Sequence, residues 1–437
     1  MHKLDDNASI NSIDVAKPRL LGVISGIFVT PGIVWQSMGS SGAALMVWIL
    51  GGVITLAASL SYTELGTRIS EQGGELVYLR SSFPKPHNLF SFLFSFMFFF
   101  AIRVGSIAAV SQAFAQYLVY SLSTSDECTR YLQINPRNGV NDMNFWTLKF
   151  IALGGLLIVT AYHIYSSPLA NKINKILAYV KTLTLFTIAV LGIVNLKSPY
   201  NNWESFFDGT TLTITSFSTS LISVLYSYNG WNNLNYSLAE FKNPENRLVY
   251  SNVISVLIVG CLYILANIAF ISVVPSKYAK NPGHEFNEVI AGYFAEYVWN
   301  RQFGRVLSFC VAISTFGTLG ALCWSGSRVI QTAAEKNYFP IGAEKLRKDD
   351  ERFNTPKNAL ITQFIWCTFT IVVVGASITS DPFKILSDYS QYSAWIFYGL
   401  TGAALFHLKR KPSDKKNTFK AIIQGIQIVQ ITKTRTV

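Results

Sequence analysis

Along this chain, long apolar runs alternate with short polar segments that carry most of the charge. Several of the runs exceed the roughly 18 to 20 residues needed to cross a hydrocarbon core. Broken at turn and charge clusters, the pattern predicts ten membrane spans, at about 20–38, 41–64, 89–121, 146–165, 172–195, 212–239, 248–274, 303–333, 357–379 and 383–407. Two of them are irregular. The first, LLGVISGIFVTPGIVW (Leu20 to Trp35), carries three glycines and a proline where a spanning helix needs an unbroken hydrogen-bond ladder. The sixth, LYSYNGWNNLNYSLAE (Leu225 to Glu240), is crowded with polar and small residues at its middle.

The first and sixth of ten spans correspond in a five-plus-five arrangement, and interrupted helices at corresponding places in two halves point to an inverted-repeat transporter. An interruption leaves backbone N–H and C=O groups unpaired, at several kcal/mol each unless something satisfies them. The N–H groups that start a half-helix suit a carboxylate. Carbonyls that end the preceding half suit an ammonium. Two facing breaks therefore form a site for a zwitterion, the part common to all α-amino acids. The breaks are expected near Ser25 and Gly26 and near Ser227 to Gly230. Glycines also let helices pack closely, and Ser25 and Gly26 alone do not choose between the readings; the pairing of the breaks favours the site.

Four segments in order resemble the amino-acid/polyamine/organocation superfamily: SGIFVTPG in the first span, YTELGTRISEQGGELVYLR (Tyr62 to Arg80), YNGWNNLNYSLAEFKNP (Tyr228 to Pro244), and SRVIQTAAEKNYFP with TPKNAL (Ser327 to Pro340, Thr355 to Leu360). The branch most similar is that of the L-type amino-acid transporters, with the fungal methionine-permease-like members. The resemblance implies an all-α LeuT-like fold with a five-plus-five inverted repeat, alternating access, and substrate held midway across the membrane. It places Gly22, Ser25 and Gly26 around the amino acid's carboxylate and amine, and Tyr226, Asn229, Gly230, Trp231 and Asn232 on the sixth-helix side. It makes the Tyr62–Arg80 link and the segment around Tyr338 to Pro340 elements of the moving scaffold. The chain departs from the family pattern at Gly22, Ile24, Val104, Asn229, Gly320 and Leu322. Relatives usually have twelve spans, so the last two are expected to be missing here.

Composition narrows the picture. Apolar residues make up 50% of the 437 and charged residues only 14%, against about 25% charged in soluble domains. The net charge of +12 reads as the positive-inside bias of a membrane protein, because lysines and arginines gather in the tails and alternate loops; nucleic acid is not an expected partner. That bias places both termini in the cytoplasm; the membrane expected is the plasma membrane. The expected organisation is a cytoplasmic tail (1–19), a transmembrane transporter domain (20–408) and a second cytoplasmic tail (409–437).

Lys181 lies well inside the fifth span, where a lysine is costly unless paired. It is the candidate for ion coupling, as a proton carrier or a fixed cation, with a lysine snorkelling to the headgroups as the alternative. The resemblance adds that some relatives have a fifth-helix lysine beside the first helix. Arg103 is expected to pair with backbone carbonyls, and Glu64 and Glu240 to act as gate or helix-end charges. The pocket candidates contain no carboxylate to meet a cationic side chain, which favours neutral amino acids with apolar or thioether side chains. Of five cysteines, only Cys128 is expected outside the membrane, and no heavy-chain partner is expected through it. No catalytic, phosphate-binding or metal-ligand spacing is present, so neither an enzyme nor a cofactor is expected. The function expected is a permease for neutral L-amino acids working by proton symport or exchange. A non-transporting amino-acid sensor and a truncated inactive permease are the alternatives.

Overall fold

The computed structural model describes residues 25–122, 143–196, 202–203, 206–240, 244–276, 289–339, 342–373 and 382–409. Regular structure among these is all helical. A 3-10 turn, Ser25–Phe28, precedes α1 (Thr30–Met38). Then follow α2 (Ser41–Arg68), the short α3 (Glu75–Ser82), and α4 (Leu89–Met97), which runs through a π-turn, Phe98–Ile102, into α5 (Arg103–Leu122). Next come α6 (Met143–Tyr165), α7 (Ser167–Val194) and α8 (Ile214–Tyr228), the last followed by a 3-10 segment, Asn233–Glu240. The remainder is α9 (Pro244–Val273), α10 (Ile290–Val298), α11 (Arg301–Glu335), α12 (Ala343–Leu346), α13 (Lys357–Val373) and α14 (Pro382–Lys409).

Among the described residues, six helical runs are individually long and apolar enough to cross a membrane: Ser41–Arg68, Leu89–Leu122, Trp146–Tyr165, Ser167–Val194, Asn252–Val273 and Arg301–Glu335. The other predicted spans fall on α1 and α8, each flanked by 3-10 structure, on α13, which is shorter, and on α14, which is more polar. Local chemistry sets several boundaries. Ser40, Ser166, Thr213 and Asn300 each accept a backbone N–H from the first turn of the helix that follows, removing one of the donors a helix start leaves unpaired. Pro31, in the first turn of α1, has no N–H to satisfy.

Packing divides the helices into two groups. Helix α5 lies against α6 and α11, with α13 closing over them, whereas α1, α2, α8 and α9 pack on one another. Helix α14 leans on α5 and α8, and α7 touches both α11 and α9. The most apolar stretch of Leu89–Leu122 is 78% buried, that of Ser167–Val194 only 28%, so the former is an inner post and the latter a flank. Apolar side chains such as Met46, Phe150 and Ile365 point outward, as they must where the surrounding solvent is hydrocarbon. At one end of the bundle lie Arg68 at the end of α2, Lys409 at the end of α14 and Lys336 just after α11, which pairs with Glu71 beyond α2 at 3.9 Å; this is its basic end. There Glu64 pairs with Arg68 at 2.8 Å and with Lys409 at 2.9 Å, tying α2 to α14.

Arg103 corrects a sequence expectation. Among the described residues it bonds to no backbone carbonyl; its guanidinium lies 4.9 Å from the Phe98 ring centre and 5.6 Å from that of Tyr236. Cation–π attraction is favoured there because both rings are already desolvated. Gly192 marks a close approach of α7 to α9, since a Cβ there would meet the Cα of Ala269 at 2.5 Å. Gly192→Ala should therefore push the two helices apart and cost about 1–3 kcal/mol. The test is the thermal midpoint of the purified protein, expected to fall by several degrees; an unchanged midpoint would contradict this packing.

Candidate functional site

Two irregular segments meet in the middle of the bundle. Gly26, in the 3-10 turn before α1, is so close to α8 that a Cβ would stand 2.7 Å from the Cα of Ser227. Only glycine permits that approach. Thr30 then fixes the junction: its hydroxyl donates to the Gly26 carbonyl at 3.0 Å and lies 2.5 Å from the Ser227 hydroxyl. Helix α8 stops at Tyr228, and the chain turns through Asn229 to Gly230, whose φ of 101° is a conformation that side-chain-bearing residues rarely adopt.

The carbonyls freed at the breaks are taken up by tyrosines of neighbouring helices. Tyr117 of α5 donates to the carbonyl of Phe28 and in turn accepts the backbone N–H of Ala291 at 3.4 Å. Tyr263 of α9 donates to the carbonyl of Ser227 at 2.9 Å. Ile27, Phe28, Thr30, Tyr226, Ser227, Tyr117 and Tyr263 are each no more than 1% exposed, so the junction is shut off from solvent.

The sequence candidates do not all gather here. Gly22 lies outside the described residues, and of Ser25 only the backbone is described, in the 3-10 turn. Gly26 is at the junction itself, and Tyr226 is one residue from it, its ring against Phe383 of α14 and its hydroxyl 3.5 Å from the Ser106 carbonyl of α5. Asn229 and Gly230 form the turn. Trp231 and Asn232 lead away. Trp231 packs on Tyr62 and Tyr398, with ring centres 4.6 and 5.4 Å away, and Asn232 donates to Glu75 Oε1 at 2.6 Å. Lys181 donates to Thr318 Oγ1 of α11 at 3.4 Å, and α11 also packs on the Ser25–Phe28 turn. Cys128 and the side chain of Glu240 lie outside what is described.

Sequence reading missed Tyr117, Tyr263, Thr30 and Glu75. Thr30 stands in the SGIFVTPG motif, and Glu75 follows the Gly73-Gly74 pair, both with positive φ, at the first position of α3. The tyrosines sit in ordinary apolar helices and carry no local signal. Glu75 is fully buried although α3 lies in the link between two spans. Oε1 accepts from Asn232 and from Tyr236 at 3.2 Å, whereas Oε2 is buried and accepts no hydrogen bond among the described residues. Burial pushes its carboxyl from the ordinary 4.5 up to about 7, the hydrogen bonds offsetting only part of that rise.

Two outcomes follow from this geometry. A carboxyl whose pKa is raised in the folded state binds its proton more tightly there, so its stabilisation is complete below pH 4.5 and is lost as pH rises through 7. Stability should fall by at most about 3 kcal/mol from this group over that window, and Glu75→Gln should flatten the dependence; identical pH profiles of the thermal midpoint in parent and variant would contradict it. Tyr263→Phe leaves the Ser227 carbonyl unpaired and should cost about 1–3 kcal/mol, read from the same midpoint, while no change would show that the carbonyl finds another donor.

Residues 8–432 match the family model described as amino acid permease. The chain is 27% identical over 410 residues to the human b(0,+)-type amino acid transporter 1, covering 93% of this chain and 77% of that protein. It is also 27% identical over 405 residues to the human cystine/glutamate transporter, covering 92% and 74%. To the high-affinity methionine permease of Saccharomyces cerevisiae it is 27% identical over 382 residues, covering 86% and 61%. A helical bundle of apolar spans and a family match over nearly its whole length make this chain a multi-pass membrane protein of the amino acid permease family.

Proposed function

We propose that the chain is a secondary transporter for neutral L-amino acids, large apolar or thioether ones such as methionine included, working by alternating access in a five-plus-five inverted-repeat bundle. The observation that carries the reading is the buried junction of Gly26 with Ser227, where two irregular helices meet side by side. Opening that junction by a few ångströms frees backbone N–H groups of the Ser25–Thr30 segment for a carboxylate and carbonyls of the Tyr226–Gly230 turn for an ammonium. In this role Gly26, Ser25 and Gly22 lie on the first-helix side and Tyr226, Asn229 and Gly230 on the other. Trp231 and Asn232 act one step away, as part of the closure at the basic end, which the positive-inside bias places in the cytoplasm.

Neutral substrates are supported by chemistry: among the described residues no acidic side chain reaches the junction, and the nearby buried carboxylate, Glu75, is committed to Asn232 and Tyr236. The relatives' names span cystine, glutamate and methionine, so the family alone does not choose. Lys181 supports ion coupling because α11 connects its partner Thr318 to the first-helix turn; its protonation would bias α7 and α11 against that turn.

The test is uptake of radiolabelled methionine and leucine into proteoliposomes, with and without a proton gradient. Saturable, gradient-stimulated uptake is expected, and Asn229→Leu, which removes the side-chain amide that this reading also turns toward the substrate, should raise KM about tenfold or more, the equivalent of one hydrogen bond to a charged group. Gly26→Val is not a clean probe, because it disrupts the helix contact whether or not substrate binds there. Lys181→Ala should remove the pH dependence of uptake; a profile like the parent's would rule out its coupling role. Saturable binding without accumulation would favour a sensor.

A further inference from the structure

Away from the junction, a cavity of about 580 Å³ opens at the basic end between α4, α12 and α13. One wall is a ladder of Phe92, Phe96 and Phe100, spaced four residues apart and so along one face of the helix. Phe339 and Ile361 also line the cavity, as does the exposed Lys345. Phe92 and Phe96 are 40% and 49% exposed and Ile361 is 36% exposed, so the slot opens sideways through apolar side chains. At 1.5 Å per residue the ladder is about 12 Å long, close to the depth of one leaflet's hydrocarbon, about half of 30 Å. It begins within a turn of the start of α4, at the end of the Leu89–Leu122 span, where the headgroups of a surrounding bilayer would lie.

The rim carries charge that the protein does not neutralise. Arg347 pairs with Glu344 at 3.6 Å and Lys357 with Asp350 at 3.3 Å. Lys345 and Lys348 form no ion pair among the described residues, and both are exposed. Asn358 donates to the Lys345 carbonyl at 2.9 Å, holding the base of that side chain over the slot. A headgroup-level cation above a leaflet-deep aromatic slot is complementary to one molecule of the bilayer, an anionic phospholipid with its phosphate on Lys345 and one acyl chain along the phenylalanines.

We infer that the Phe92–Phe96–Phe100 slot with Lys345 is a binding site for an anionic phospholipid of the leaflet at the basic end. The inference rests on the chain's spanning a bilayer and is independent of transport. Its walls come from α4, α12 and α13, so an occupant adds a contact shared by all three elements.

The experiment is native mass spectrometry and thermal melting of the full chain in detergent, with phosphatidylglycerol, phosphatidylcholine of the same acyl chains, or inorganic phosphate added. Phosphatidylglycerol should be retained at least fivefold more than phosphatidylcholine and raise the midpoint by several degrees, with no effect of phosphate. Lys345→Glu should abolish the preference while Lys345→Arg keeps it, and Phe96→Ser should reduce retention of both lipids. Equal retention of the two lipids by the parent, an unchanged preference in Lys345→Glu, or stabilisation by phosphate alone would overturn the assignment. Because binding is read without uptake, failure here and failure of the transport reading are separable.

Discussion

Inside a bilayer an irregular stretch of backbone has no water to turn to, and every feature of the central junction follows from that constraint. The Phe28 and Ser227 carbonyls are satisfied by tyrosine hydroxyls reaching in from α5 and α9. The Gly26 carbonyl takes both the Val29 N–H at 2.9 Å and the Thr30 hydroxyl. These partners are side chains and turns, so they can be exchanged for another solute's polar groups at modest net cost, as a continuous helical ladder cannot. In the proposed function, a segment held this way is stable when closed and can still open to a ligand.

The rest of the architecture serves that segment. Helices α5 and α11 form an inner post that fixes Tyr117 and packs on the Ser25–Phe28 turn, and α9 holds Tyr263 from the other side. Toward the basic end the chain leaves the junction through Trp231 and Asn232, which bind it to the Tyr62–Tyr398 ring pair and to Glu75. The junction and this closure share one turn, Asn229 to Asn232, so a movement of the sixth span alters both. Such a link is what alternating access requires, and it gives Glu75 a place in the structure that a polar loop residue would not otherwise have.

Much of this was legible in the sequence because hydrophobic periodicity and helix-breaking residues are local. Gly26 and the Ser227–Gly230 stretch stand out within apolar surroundings, and the structure puts the irregular backbone there. What failed to show was the direction of side chains after the turn. Trp231 and Asn232 adjoin Gly230 in sequence, but its positive φ swings them toward Tyr62 and Glu75 instead of the junction. Tyr117 and Tyr263 act on carbonyls 89 and 36 residues away, and Arg103 finds aromatic rings from its own π-turn and from the sixth span. Partners at such separations are chosen by the packed fold, which no local pattern records.

The central claim is that the two irregular segments together hold an amino acid. The measurement that tests it most directly is hydrogen–deuterium exchange of the backbone amides of residues 25–30 and 226–233, in purified protein with and without saturating methionine. The account predicts that methionine slows exchange in both segments together, since each would contribute backbone groups to one ligand. Saturable methionine binding with exchange unchanged in both segments, or slowed only elsewhere in the bundle, would contradict it.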